Sequence, residues 1–232
     1  MCIRDSPSLN RASLREQVYE ILRDQLDQGE LEPGSVIKQD EVAARLGVSR
    51  TPMREALLRL EQEGFIVIKP RSGIRVRRLT ERDIRNLYQM IGALEASVLV
   101  TESAALTDEK IARMRRHNDE GRAALKVNDF DRYYRANLAL HDSYLQLSNN
   151  SELVHNVTVM KQRLYDFPRK RSFVKQWELA SVDEHEEIIT HLEAGDFNWA
   201  AEIVRDVHWS FEVQKDFIRS YYLDELATGS TA

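Results

Sequence analysis

The 232-residue sequence predicts a mainly α-helical protein in two parts: a small N-terminal head of three helices and a β-hairpin, then an all-α antiparallel helical bundle. Three observations predict it. Apolar residues recur at helical spacing along most of the chain, only two short runs have β character, and basic residues concentrate around those runs. A hydrophobic content of 42% is enough to fill two modest cores.

The first helix starts at Ser13, which forms a capping-box pattern with Glu16, and turns Leu14, Val18, Ile21, Leu22 and Leu26 to one side before Gly29 ends it. A Pro33-Gly34 turn leads to a short helix over Gln39 to Arg45, with Val42, Ala43 and Leu46 inward, and Gly47 supplies a tight turn. The third helix opens at Ser49-Arg50-Thr51-Pro52, where Ser49 or Thr51 suits the N-cap and Pro52 sits in the first turn, and it runs to Gly64. Phe65 to Lys69 and Ile74 to Arg78 read as strands joined by the turn Pro70-Arg71-Ser72-Gly73. Two short helices across a glycine turn followed by a hairpin make a winged helix-turn-helix with a small β-hairpin wing, over residues 13–78.

Charge agrees with this shape. The chain carries a net −5, yet Arg45 to Arg78 holds nine basic and three acidic residues, a local +6 against −11 elsewhere. A basic segment on an acidic chain suits a polyanion, here double-stranded DNA, although a solvated charged face gives the same balance. Position separates the two. Arg50 and Arg54 share one face near the start of the third helix, where an arginine fork reaches guanine edges or phosphates. Ser49 and Thr51 either bond phosphate at the helix N-terminus or cap the helix. Gly73 lets the wing backbone approach a minor groove, with Arg71 or Arg75 on phosphate, whereas Arg59 and Arg77 read as solvated charges.

From Thr80 onwards the sequence reads as six or seven helices. Thr80 with Asp83, Thr107 with Lys110, Ser151, and Ser181 with Glu184 mark starts, and Asn128-Asp129, Asn149-Asn150 and Gly195-Asp196 mark boundaries. The inward stripes are Ile84, Leu87, Met90, Leu94 and Val98; Leu153, Val157, Met160 and Leu164; and, on one last helix, Phe197, Ala201, Val204, Phe211 and Ile218. Residues 1–12 read as a disordered leader and 228–232 as a flexible tail. The most apolar stretch, Leu87 to Val100, is broken by Glu95, so no membrane span is expected. One cysteine, Cys2, and a start without a secretory core point to the cytoplasm.

The run Glu41 to Leu57, with Pro33-Gly34 before it and Glu63-Gly64-Phe65 and Gly73-Ile74-Arg75-Val76 after it, resembles the head of the GntR family of bacterial transcriptional regulators. The resemblance implies operator contacts from Arg50, Arg54 and Gly73. Asp40 departs from it, standing where some relatives carry a basic contact residue. Residues 79–227 resemble the FCD domain, the ligand-binding and dimerisation part of the FadR-like division, through Leu94-Glu95, Asn137 to His141, Asn150, Leu153, Glu184-His185 with Ile188, and Gly195-Asp196 with Ala200.

The FCD resemblance implies a divalent metal held by a carboxylate and three histidines beside a small organic-acid effector. Here the matching set is Asn137, His141, His185 and His208, suited to zinc, nickel or manganese. Asn137 replaces an aspartate, His208 falls one place late with Val207 at the matching position, and Ile91 stands where relatives carry an arginine facing the ligand. His117, His155 and His191 read as structural. The function expected from the whole is a metabolite-responsive repressor acting as a homodimer on a pseudo-palindromic operator. A metal-dependent enzyme using the histidines is the rival, but no nucleophile–base motif, phosphate loop or H-E-x-x-H is present. An architectural DNA binder without a ligand is a third reading.

Overall fold

A computed structural model of the protein describes residues 13–165 and 174–223, so the expected leader and tail lie outside the described residues. The chain divides between Arg78 and Leu79 into two compact units.

In the first unit, α1 (Leu14–Asp27) begins with the expected capping box, the Glu16 carboxylate accepting from the Ser13 backbone N–H at 2.8 Å. Val18, Leu22 and Leu26 are buried, but Leu14 and Ile21 are exposed, so the apolar stripe is narrower than expected. α2 (Gln39–Leu46) and α3 (Arg50–Gln62) follow, and α1 packs on α3 over Met53, Leu57 and Leu60. The hairpin is β2 (Ile66–Lys69) and β3 (Gly73–Val76). A third strand, β1 (Val36–Ile37), pairs antiparallel with β3 with Ile37 opposite Ile74, giving the order β1-β3-β2. Two residues are too few to show a period of two, so the sequence carries no strand signal there.

The second unit is helical throughout its described residues: α4 (Glu81–Thr101), α5 (Asp108–Lys126), α6 (Phe130–Leu145), α7 (Ser151–Tyr165), α8 (Lys175–Glu193), α9 (Phe197–Ile203) and α10 (Phe211–Ile218). Thr80 and Asp83 close a capping box on α4, and Asp129 caps α6 by accepting from the Arg132 N–H at 3.1 Å. α4 packs against α7 and α9, and α5 against α6 and α8, around one core that includes Leu87, Ile91, Leu140, Val157, Ile188 and Val204. No helix among the described residues is long and apolar enough to cross a membrane.

Three expectations are corrected here. Met90 is exposed, and Ile91 takes the inward position one turn after Leu87 and Tyr88. Ser181 does not start a helix: Gln176, Leu179 and Ala180 before it are good helix formers, so α8 already runs from Lys175 and both Ser181 and His185 lie in its interior. The last helix is not continuous. Between α9 and α10, Val204–His208 form a π-helical turn, closed by the Trp209 N–H donating to the Val204 carbonyl at 2.9 Å.

Candidate functional site

The first unit presents its basic residues on α3 and the wing. Ser49 occupies the N-cap of α3 with extended backbone, but its hydroxyl makes no capping bond, and Thr51 is exposed, so side-chain capping accounts for neither residue. Arg54 is exposed. Arg50 forms a fork with Asp40 of α2, Nε donating to Oδ1 at 3.1 Å and Nη2 to Oδ2 at 3.3 Å. Guanidinium has five N–H groups in one plane, so this fork leaves the end-on edge of Arg50 open. The acidic departure at Asp40 is thus a partner of Arg50.

On the wing, Arg71 adopts a left-handed φ of 65° and Gly73 one of 83°. A Cβ at Gly73 would meet nothing within 4 Å, so the backbone conformation, not space, calls for glycine. Arg71 and Arg75 are exposed, and Arg75 donates to the Gly34 carbonyl at 3.3 Å. Arg59 is not the solvated charge expected of it. Its guanidinium lies 3.7 Å over the Tyr19 ring and its Nε donates to Glu63 at 3.0 Å. Arg77 is half-buried.

The second unit brings His141 of α6, His185 of α8 and His208 of the π-helical turn together. All three are buried, and one ligand atom from each lies within 4.8 Å of the others. The ring centroids are 5.1 Å apart for His141–His185, 5.1 Å for His141–His208 and 4.7 Å for His185–His208. The π-turn explains how a histidine one place late still arrives: a π-turn takes up one extra residue, and rotates the residues after it by about 100°. Gly92 of α4 makes room for this turn, since a Cβ there would lie 2.8 Å from Trp209 Cβ.

Buried carboxylates orient two of the rings. Glu95 of α4 is wholly buried, and its Oε2 accepts from Tyr144 at 2.6 Å and Trp209 Nε1 at 2.8 Å, with His141 Nδ1 at 3.1 Å. Lys161 of α7 forms an ion pair with the other Glu95 oxygen. Burial opposes ionisation of Glu95, but the Lys161 ammonium and His141 outweigh it and hold the carboxyl well below its usual range. An ionised carboxylate only accepts, and the Tyr144 hydroxyl, 2.8 Å from Nδ1 of His141, gives its own proton to Glu95, so Nδ1 carries the proton and Nε2 keeps its lone pair. Glu184 treats His208 alike, Oε2 meeting Nδ1 at 2.7 Å while Oε1 accepts from Gln214 at 2.8 Å. Such carboxylate–histidine pairs are the usual outer partners of metal-binding imidazoles.

The donor atoms are left bare. His141 Nε2 and His185 Nε2 are buried without a hydrogen-bond partner, as is Oδ1 of Asn137, one turn before His141 on α6. Burial, then the Lys161 ammonium, pushes His141 down to about 4. Burial and the other two rings push His185 well below the usual imidazole range. Neutral imidazoles with free lone pairs, plus a neutral oxygen donor, fit a borderline divalent ion such as zinc or nickel. Beside them lies a cavity of about 80 Å³ whose wall includes Asn137, Glu184, His208, Trp177 and Glu178. Ile91 is buried in the apolar core and is absent from that wall.

Among the described residues no other group of three such ligands forms: His155 is exposed and His191 faces Asp196 at 3.8 Å. Sequence reasoning missed Lys161, Tyr144, Trp209 and Gln214. Glu95 alone left a trace, as an acid interrupting the most apolar stretch of the chain.

Comparison with known proteins gives the same partition. Residues 14–76 match the bacterial regulatory proteins of the gntR family, and residues 86–208 match the FCD domain. An HTH-type transcriptional regulator from the TAR-I ttuE-ttuC' intergenic region of Agrobacterium vitis is 32% identical over 139 residues, 59% of this chain and 81% of that one. The transcriptional repressor RspR of Escherichia coli K12 is 26% identical over 136 residues, 59% of this chain and 60% of RspR. The solved structure of E. coli McbR/YncC shares the fold, with a TM-score of 0.69 at 21% identity, over 93% of this chain and 100% of that one. The protein belongs to the gntR family, in the branch that carries an FCD domain, and is a DNA-binding transcriptional regulator rather than an enzyme.

Proposed function

We propose that the protein is a metabolite-responsive repressor that binds a pseudo-palindromic operator as a homodimer. One head offers a small contact, and two-fold symmetry doubles it on a symmetric site. In this reading residues 13–78 bind DNA. Arg50 and Arg54 read base edges, Ser49 and Thr51 bond phosphate, and the wing contributes Arg71, Gly73 and Arg75. Residues 79–227 bind the effector and form the dimer.

His141, His185 and His208 hold a divalent ion there, with Asn137 as an oxygen donor. When bound, the ion supplies a positive centre for an acidic group of the effector. The observation that carries this reading is the pair of buried imidazole Nε2 atoms without a partner, since burying an unpaired polar atom costs about 1–3 kcal/mol unless something completes it. The effector shifts operator affinity only through its differential affinity for the DNA-binding and non-binding arrangements.

Metal content of the purified full chain tests the ion, alongside His141→Ala, His185→Ala and His208→Ala. Near-stoichiometric metal in the parent and its loss in each variant is the expected result; a parent that takes up neither zinc, nickel nor manganese would sink this part. Light scattering and footprinting test the rest, the expectation being two chains protecting two symmetric half-sites.

A further inference from the structure

An acidic side chain stands beside the exposed start of the third helix. Asp40 is the second residue of α2 and Arg50 the first of α3. The turn between the two helices is fixed at Gly47, whose φ is 64°, and by the Val48 N–H donating to the Ala43 carbonyl at 3.1 Å. The Asp40 carboxylate is thereby set against one edge of the Arg50 guanidinium, with contacts of 3.1 Å and 3.3 Å.

Stability does not account for this fork. The Arg50 and Asp40 side chains are 81% and 72% exposed, and an ion pair in so much water adds little to a fold.

The fork does change what Arg50 can recognise. The carboxylate occupies Nε and one proton of Nη2, the side-on edge, and leaves the parallel protons of Nη1 and Nη2 on the end-on edge open. Two parallel donors fit O6 and N7 of guanine. A phosphate attracts arginine chiefly by charge, and the charge of Arg50 is offset by an acid in contact with it. Directional hydrogen bonding is kept and the non-directional pull towards the DNA backbone is weakened. The contact also orders a side chain that would otherwise lose its rotamer freedom on binding. Ser49 and Thr51, on either side of Arg50, are uncharged and have no acid to oppose a phosphate at their hydroxyls.

We propose that Asp40 is a specificity-determining residue: by holding the side-on edge of Arg50, it turns that arginine from a phosphate contact into a reader of one guanine in each operator half-site. Asp40 acts through Arg50 as a positioning residue, so its role rests on the base contact assigned to Arg50 above.

Duplexes selected from a random pool by the full chain supply the operator, and each base pair of that site is then changed singly. Arg50→Ala locates the guanine, as the position whose replacement costs the parent about tenfold or more in affinity and costs this variant nothing. There Asp40→Asn is expected to cut the parent's preference to about threefold or less. The same variant should bind unrelated duplex more tightly, with a logarithmic salt dependence steeper by about one per chain, as Arg50 moves onto a phosphate. Asp40→Glu, which can rebuild the fork, is expected to keep most of the preference, and neither variant should change the melting temperature. An Asp40→Asn chain with the parent's preference and salt dependence overturns the positioning role and leaves Arg50 as a base contact. So does a loss of preference at a different base pair, which makes Asp40 a reader in its own right. If Arg50→Ala weakens all duplexes alike and singles out no position, the base contact and the role of Asp40 fall together.

Discussion

Arg50, Arg54 and Arg71 stand in solvent at the surface of the first unit, whereas His141, His185 and His208 lie buried where α6, α8 and a π-helical turn converge in the second. The difference sets what each needs from the rest of the chain. An exposed arginine keeps its charge without help, and the helix or turn beneath it need only point it outwards. A buried imidazole with a bare lone pair must be desolvated, oriented and held in one tautomer, so it requires Glu95, Glu184 and everything that stabilises those acids in turn. Removing a group from the first unit is therefore expected to change binding alone, and removing one from the second to change stability as well.

The largest effect is expected at Glu95. Glu95→Ala leaves the Lys161 ammonium buried without its counter-ion, and urea denaturation is expected to show a loss of about 3–5 kcal/mol. Adding Lys161→Met should recover part of it, since Tyr144, Trp209 and His141 still lose their acceptor. Equal instability in the single and double variants would mean that the pair is not what makes the acid necessary.

Arg54→Ala sharpens the contrast from the other side. Operator affinity is expected to fall by about 1–3 kcal/mol at fixed salt, with melting temperature and metal content unchanged. Asp40→Ala in the same assay should do something different. It frees Arg50 from an exposed fork of less than about 1 kcal/mol, so binding to unrelated DNA should tighten slightly while preference for the operator narrows. A fall in binding to both DNAs would instead place Asp40 on the duplex.

A pH-dependent effect is expected at Glu178. Its folded-state carboxyl sits at about 7, above the ordinary 4.5, so the folded protein keeps this proton longer than the unfolded chain. Stability from this group is complete below about 4.5 and is lost as pH rises through 7. Without ligand, Glu178→Gln should melt as the parent does at low pH and a few degrees higher above neutrality. A constant gap across that range would show that the carboxyl ionises freely in the fold.

The two units also differed in how far they could be read in advance. In the first, helix starts, the glycine turn and the wing follow from local patterns, and the basic residues are visible as charge. The misses there were few: a two-residue strand, and an arginine whose partner Glu63 also accepts from Tyr19, 44 residues away from it in the chain. In the second, the three histidines could be named only by resemblance, because nothing in their spacing of 44 and 23 residues implies that they meet.

By itself, then, the sequence determined which segments are helical, which faces of most of them are apolar, where the basic surface lies and which family the chain resembles. These depend on periodicity and on residue type, which act over one or two turns. Only the tertiary structure decided the phase of His208, through a π-turn that Gly92 leaves space for, the pairing of Glu95 with Lys161, and the acid and indole wall of the cavity. Those are products of helices meeting across dozens of residues, where packing and the cost of an unpaired buried charge select partners that no local pattern records.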